Sequence, residues 1–248
     1  MKKCLLPIPT FILFFIASQI YSQETYINVY YKKVSTFVLN KKKQTYANKI
    51  LKQTQEDMEK LEYKLTFNNT TSIFKEVPKM GLDDNSTTAM LSKSFGDTEG
   101  IFYTDRKTGK TIREQEFESE LFLVEHEKMN DWKLTQETKK IGKYICYKAT
   151  RKDSYINRSG EKKYFAVIAW YTLELPYNFG PVKYNGLPGL ILELTNRQAK
   201  LYVSKIELNP KKQNNILKPK KGKNVKKIEY DNIVRGLAKN FDKIYKRN

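Results

Sequence analysis

Short segments in which apolar and polar residues alternate recur along most of the chain. Leu61, Tyr63, Leu65 and Phe67 alternate with polar residues, and a period of two is typical of a strand with one buried face. Turn-forming residues, rather than helical segments, separate most of these stretches. The pattern predicts a mainly β protein with one antiparallel sheet of about ten strands. The predicted strands cover residues 25–31, 61–67, 71–77, 101–104, 111–117, 120–125, 132–137, 143–149, 164–171, 190–195 and 201–208.

Two of the predicted strands are apolar at consecutive positions. Residues 144–147 and 165–171 carry apolar side chains without alternation. A strand that is apolar on both sides needs cover on both of its faces. Because few helices are predicted, we expect a single strongly curved sheet or a partly open β-barrel, whose inner face the sheet itself covers.

A helical period is clearest at the end of the chain, over residues 228–247. Apolar side chains recur there at i, i+3, i+4 and i+7, which places them on one helix face. We expect this helix to pack on the sheet as a lid, and attachment to a membrane surface is the alternative. A second, polar helix is predicted over 44–60, and residues 78–98 predict a long loop with a helical turn near Met90. The apolar positions of the C-terminal helix are Tyr230, Ile233, Val234, Leu237, Ala238, Phe241, Ile244 and Tyr245.

Residues 1–22 predict a signal peptide for export. Lys2 and Lys3 form its positive start, residues 11–17 form a short apolar centre, and Ser22 is a small residue at the cleavage point. A membrane anchor is the alternative, but the apolar run is shorter than the roughly 20 residues of a spanning helix. We therefore expect a periplasmic, outer-membrane or extracellular protein with no transmembrane span after cleavage.

The remaining chain predicts one β domain followed by a basic tail. The β domain covers 23–208, a basic loop covers 209–227, and the C-terminal helix follows. The loop contains eight lysines and no acidic residue, and the formal net charge of the whole chain is +19. Export argues against nucleic acid as a partner, and favours an outer-membrane protein, a lipid or lipopolysaccharide. A compositional bias toward lysine is the alternative explanation of this charge.

The sequence offers little for catalysis. His126 is the single histidine, it has no second imidazole at metal-binding spacing, and no Gly-x-Ser-x-Gly motif accompanies it. Acidic residues at 114, 116, 118 and 120 fall on alternate strand positions, which is typical of a solvated face. Cys146 is the one cysteine left after export, so we expect a buried, inert thiol and no internal disulfide. We predict no catalytic residue, no metal site and no cofactor.

Aromatic residues are plentiful, with 17 Tyr, 13 Phe and 2 Trp. They are expected mainly in a packed core, where aromatic side chains dominate many β proteins. The alternative is that some of them line a cavity in the sheet and contact a ligand or partner near its mouth. The candidates for that contact are Trp170, Tyr171, Tyr177, Phe179 and Tyr184.

Residues 181–196 contain the motif around which we expect the fold to be arranged. In Leu187-Pro188-Gly189-Leu190, proline suits the second position of a type II turn, and glycine supplies the positive φ of the third. An apolar strand follows from Leu190. The motif is expected to be architectural rather than a binding site. Its full string is Gly186, Leu187, Pro188, Gly189, Leu190 and Ile191.

This string resembles the hexapeptide of the GLPGLI family of Bacteroidetes envelope proteins. The resemblance extends to residues 169–181, 132–149 and, more weakly, 63–74. It departs from the family pattern at Lys143, where a small residue is usual. The resemblance implies an exported envelope protein, and it transfers no catalytic residue because the family has no established activity.

Three functional hypotheses follow. The first is a non-enzymatic envelope protein that binds an apolar ligand or an outer-membrane partner. The second is a hydrolase or peptidase that uses Asp or Glu with His126. The third is a surface scaffold that binds polyanions through the basic C-terminal region.

Overall fold

The computed structural model describes residues 25–39, 45–78, 86–157, 159–211 and 215–245, with side chains described as far as residue 236. The predicted signal peptide lies outside these residues. Within them the protein is mainly β, with one sheet of twelve strands and three helices. No helix in this part of the chain is long and apolar enough to cross a membrane. The strands are β1 (Ile27–Ser35), β2 (Glu62–Phe67), β3 (Thr71–Glu76), β4 (Ile101–Asp105), β5 (Thr111–Phe117), β6 (Glu120–His126), β7 (Lys133–Ile141), β8 (Tyr144–Ile156), β9 (Lys162–Thr172), β10 (Leu190–Asn196), β11 (Ala199–Leu208) and β12 (Lys223–Lys226), and the helices are α1 (Tyr46–Lys60), α2 (Thr87–Ser94) and α3 (Lys227–Tyr245).

The sheet runs in the order β12-β6-β5-β4-β3-β2-β1-β11-β10-β9-β8-β7 and does not close into a barrel. The prediction of a partly open barrel of about ten strands is therefore corrected to an open sheet of twelve described strands. β1 lies at its centre, because it pairs with β2 on one side and with β11 on the other. Apart from β12, neighbouring strands are antiparallel; α2 lies in the connection between β3 and β4, and a longer segment, 173–189, joins β9 to β10.

One pairing departs from the predicted antiparallel sheet. β12 pairs in parallel with β6, with Val225 opposite Val124. It lies within the segment 209–227 that the sequence predicts as a basic loop. The strand has only four residues and one buried side chain, Val225, so it has no recognisable pattern within the lysine-rich segment.

The core lies on one face of the sheet and is filled by aromatic and aliphatic side chains. Tyr31, Tyr63 and Phe74 are fully buried, and the Phe74 ring contacts both tyrosine rings. The segment between β9 and β10, residues 173–189, crosses this face and is called the crossing segment below. The Phe67 ring contacts the rings of Tyr177 and Phe179 in this segment, with centroids 4.9 and 5.4 Å apart. Complete burial of one large apolar side chain contributes about 1.5–3 kcal/mol. The inner face is thus covered by this crossing segment as well as by the strands.

The strands that are apolar on both sides have one buried face. Along β9, Val167, Ala169 and Tyr171 are buried, whereas Ala166 is exposed and Trp170 is half-buried. On β8, Ile145 is 56% exposed and its neighbour Cys146 is fully buried, as predicted for the thiol. The expectation of cover on both faces is wrong, because the outer face carries small or partly covered apolar residues rather than a second layer.

The C-terminal helix is present and packs on the sheet. Tyr230 is buried against Phe122 and Phe117, with ring centroids 5.4 and 6.3 Å apart. Val225 of β12 belongs to the same small cluster. The start of α3 is therefore fixed beside β6, and it forms one wall of the cleft described below.

Candidate binding cleft

The segment between β9 and β10 carries the hexapeptide Gly186–Ile191 and is held by backbone hydrogen bonds. The Leu190 N–H donates to the Leu175 carbonyl oxygen over 2.9 Å, and the Gly186 N–H donates to the Asn178 carbonyl oxygen over 3.0 Å. Leu187, Leu190 and Ile191 are buried in the core. The hexapeptide thus connects the crossing segment to the sheet.

Gly189 does not have the conformation that the sequence predicts. Its φ is not positive, and the glycine with positive φ is Gly186, at +88°. A Cβ atom on Gly189 would lie 1.9 Å from the carbonyl oxygen of Thr172. The predicted type II turn with Gly189 at its third position is therefore wrong. Glycine is needed at 189 because the backbone packs directly on the end of β9.

Val182, in the same segment, has a strained backbone. Its φ is +60° although its side chain is β-branched and buried. Such a conformation costs on the order of 1–3 kcal/mol and occurs often at functional sites. Val182 directly precedes Lys183 and Tyr184, whose side chains contact β8.

Lys183 and Tyr184 both contact Asp153 of β8. The Lys183 Nζ lies 3.1 Å from Asp153 Oδ2, and the Tyr184 hydroxyl donates to the same oxygen over 3.0 Å. Burial raises the pKa of the Asp153 carboxyl, but the charges of Lys183 and Arg151 and the hydrogen bonds from Ser154 and Lys183 together outweigh this effect, and the pKa is lowered. Burial and the Asp153 charge together raise the pKa of Tyr184 well above its ordinary value. Asp153 therefore stays ionised and Tyr184 stays a hydrogen-bond donor.

Asp97 lies across the cleft from this group, in the loop that follows α2. Its φ is +58°, and its Oδ1 lies 2.7 Å from the buried guanidinium of Arg113 on β5. Burial opposes ionisation, but Arg113, Lys183 and Lys227 hold the pKa of the Asp97 carboxyl below its usual range. The Asn196 amide donates to the Gly96 carbonyl oxygen over 2.9 Å and so attaches this loop to the end of β10.

Between these groups lies a half-open cleft of about 360 Å³. This volume falls in the usual range of small-ligand sites, about 300–1,000 Å³. Its wall combines charged, hydroxyl and aromatic groups from the α2 loop, the ends of β8 and β9, the crossing segment, the β10–β11 turn and α3. The charged residues that line it are Asp97, Lys183, Arg197, Lys227, Asp231 and Arg235.

Arg197, in the turn between β10 and β11, differs from the two lysines of the cleft. Its guanidinium carbon lies 3.9 Å from the ring centroid of Tyr155 and 5.7 Å from that of Phe165. It forms no ion pair within the described part of the chain. By contrast, Lys183 pairs with Asp153, and Lys227 pairs with Asp231. Arg197 therefore presents an oriented and unpaired positive charge.

His126 is buried near this cleft but does not line it. Burial, together with the charges of Lys183 and Arg113, lowers its pKa to about 3. Its Nε2 has no hydrogen-bond partner among the described residues. Among the described residues, no nucleophile is hydrogen-bonded to the imidazole. The described residues also contain no group of three His, Cys, Asp or Glu side chains arranged as a metal site.

The five aromatic residues predicted as ligand contacts do not form one group. Trp170 lies on the outer face of β9, with the Lys139 Nζ 4.4 Å from its ring centroid. Tyr171 and Phe179 are buried in the core, and Tyr177 packs at its edge. Tyr184 alone of the five lines the cleft.

The residues that define the cleft were not identified by sequence pattern. Asp97, Lys183 and Arg197 are isolated charges in three separate loops. The sequence indicates only the turns beside Asp97 and Arg197, through the turn-forming residues Gly96 and Asn196, and not the charged cleft itself. Their convergence depends on the order of strands in the sheet.

Comparison with protein families gives one match, to "Protein of unknown function (Porph_ging)", over residues 132–162 and 151–193. These residues include β7, β8, β9 and the hexapeptide at 186–191. No curated protein matches the chain. The resemblance to the GLPGLI family is not tested by these comparisons and stays a prediction.

The fold is similar to that of PNGF-II in two crystal forms. The structures in space groups P21 and C2 each align with a TM-score of 0.50 and 14% sequence identity. They cover 85% and 86% of this chain but 33% of the PNGF-II chain. The protein thus spans about a third of the length of PNGF-II, and at this identity the likeness concerns the fold alone.

Proposed function

We propose that this protein is a non-enzymatic binding protein of the cell envelope and that its cleft holds an anionic group of an outer-membrane partner. The observation that carries the proposal is the unpaired guanidinium of Arg197, stacked on Tyr155 at the wall of the cleft. A guanidinium offers parallel N–H donors that match carboxylate and phosphate oxygens. Stacking on an aromatic ring also limits its motion before binding.

The other charges of the cleft support this role. Arg235 adds a second positive charge at the same wall, whereas Lys183 and Lys227 are paired with Asp153 and Asp231, and Asp97 is neutralised by Arg113 behind it. Opposite charges within a few ångströms favour the ionised form of a bound acid. Because Arg197 has no ion pair among the described residues, an anion that enters the cleft displaces no charged partner of this guanidinium.

The interior of the sheet favours a partner over an apolar ligand. Tyr31, Phe67, Phe74 and Phe179 are fully buried where an apolar ligand would sit. A carrier of apolar molecules needs an apolar cavity of several hundred cubic ångströms. The cleft has a mixed wall with six charged residues instead, so the partner hypothesis accounts better for the described side chains.

The hydrolase hypothesis receives no support from the surroundings of His126. The imidazole is buried, has a strongly lowered pKa and lacks a hydrogen-bonded nucleophile in the described residues. Activation of a serine or cysteine requires the base within about 2.6–3.2 Å of the nucleophile. The binding role therefore remains the best supported function.

The test is a titration of the protein with inorganic phosphate, followed by NMR. Arg197→Gln should weaken binding about tenfold or more, because a charge-assisted hydrogen bond contributes about 1.5–3 kcal/mol. Arg106→Gln is the matched control, because Arg106 is an exposed turn arginine that bonds to the Asn69 carbonyl oxygen, outside the cleft. Equal loss in both variants, or no binding by the wild type, would overturn the proposal.

A further inference from the structure

We infer that the ligand of the cleft is a hydroxyl-rich anion of the acidic-sugar class, in which a sugar ring carries a carboxylate or phosphate. This inference rests on the proposed function, and it concerns the part of the ligand that Arg197 does not bind. The observation behind it is the side chain of Asn196, next to Arg197 in the chain and also part of the cleft wall.

Asn196 has an unused acceptor. Its side chain is 2% exposed, and its Nδ2 donates to the Gly96 carbonyl oxygen over 2.9 Å. This bond fixes the orientation of the amide, because only the NH2 group can donate to a carbonyl. The remaining Oδ1 has no partner among the described residues. A buried acceptor without a donor costs about 1–3 kcal/mol, which a donor from a ligand would recover.

A further group on the cleft wall can exchange hydrogen bonds with hydroxyls. Tyr155 is a lining residue, and no hydrogen bond to another described residue occupies its hydroxyl. A simple anion such as acetate has no donor for Asn196 Oδ1. A sugar acid supplies the anionic group for Arg197 and several hydroxyl donors on the same small ring.

The size of the cleft agrees with a ligand of this kind. About 360 Å³ is at the lower end of the range for small-ligand sites, so one or two rings fit better than a long chain. The half-open mouth would allow further residues of a glycan or the lipid part of a glycolipid to extend into solvent. The shared chemistry is the acidic ring, whichever of these sources supplies it.

The probes are D-glucuronate, cyclohexanecarboxylate, acetate and glucose, titrated into the wild-type protein and followed by NMR. Glucuronate and cyclohexanecarboxylate both carry a carboxylate on a six-membered ring, but the second has no hydroxyls. We expect glucuronate to bind about two- to tenfold more tightly than cyclohexanecarboxylate, the gain of one or two hydrogen bonds. Glucose alone should bind more weakly than either.

The matched variants are Asn196→Ala and Asn178→Ala. Asn178 also has a buried Oδ1 without a partner, but it lines a different cavity. Asn196→Ala should remove the preference for glucuronate, whereas Asn178→Ala should keep it. Melting temperatures of both variants identify any loss of fold, and the ligand pair on the wild type tests the inference without a variant.

The outcomes separate this inference from the proposed function. If acetate and cyclohexanecarboxylate bind through Arg197 with the same affinity as glucuronate, the acidic-sugar inference is wrong and the anion site stands. If no anion binds, both fail. If glucuronate is preferred, comparison of a free oligouronate with lipopolysaccharide vesicles identifies whether the acidic ring comes from a soluble glycan or a lipid headgroup.

Discussion

The Tyr31 hydroxyl donates a hydrogen bond to the Ile191 carbonyl oxygen over 2.6 Å. The two residues lie on β1 and β10, which are separated in the sheet by β11. β10 pairs with β11 only over Glu193–Asn196, so its first residues leave that ladder and meet the core side of β1. This single bond therefore connects the central strand to the hexapeptide.

Tyr31→Phe should destabilise the protein by about 1–3 kcal/mol, because the buried Ile191 carbonyl loses a donor while the ring is kept. Urea denaturation measures the difference. Tyr202→Phe is the control, since Tyr202 lies half-buried on β11 and its hydroxyl bonds to no other described residue. Similar small effects in both variants would contradict the structural role of the Tyr31 bond.

Gly189→Ala should destabilise the fold by at least the 1–3 kcal/mol typical of overpacking, because the new Cβ would lie 1.9 Å from the Thr172 carbonyl oxygen. Thermal melting is the measurement. Gly236→Ala in α3 is the matched control, since a Cβ there meets no atom within 4 Å and alanine favours a helix. A melting temperature unchanged by Gly189→Ala would show that the motif tolerates a side chain.

Lys33 is fully buried, and its Nζ donates to the Ser92 carbonyl oxygen and the Thr98 hydroxyl, each over 2.7 Å. Burial lowers its pKa from 10.5 to about 7. Between pH 7 and 10.5 the unfolded chain therefore holds more protons at this residue than the folded protein, so its contribution to stability rises with pH. Lys33→Met should give a flatter dependence of unfolding free energy on pH in this window. An unchanged slope would mean that Lys33 stays charged.

His126 affects a lower pH window. Its pKa falls from 6.5 to about 3 on folding, so between these values the unfolded chain binds the extra proton. Stability should therefore fall as the pH is lowered from 6.5 to 3. His126→Phe should reduce this loss in acid-denaturation curves, while the loss from Asp97 at lower pH remains. A curve identical to that of the wild type would contradict the burial of a neutral imidazole.

The basic segment before β12 gives a separate prediction for the scaffold hypothesis. Lys218, Lys220 and Lys221 lie in a described, irregular part of this segment. If these lysines attract anionic membranes, their replacement by Gln should weaken the free energy of vesicle binding by about 1 kcal/mol per lysine in low salt. In high salt the replacement should have no effect. Arg197→Gln serves as the comparison, because it tests the cleft while leaving the segment intact. Vesicle binding that persists at high salt would count against this role.

Local pattern was sufficient for most of the secondary structure. The alternation from Leu61 to Phe67 predicted β2, and the spacing around Tyr230 predicted α3, because each depends on which face of one element is apolar. The short strand β12 was missed for the same reason, since four residues with one buried side chain have no recognisable period.

The sequence alone determined a mainly β chain with a helix at its end, together with the positions of most strands. The tertiary structure decided that the sheet stays open, that Gly189 is needed for close packing rather than for its φ, and that Asp97, Lys183 and Arg197 meet at one cleft. The physical reason is distance along the chain. Periodicity reports the environment of neighbouring residues, whereas strand order and the crossing segment bring together charges that are about a hundred residues apart.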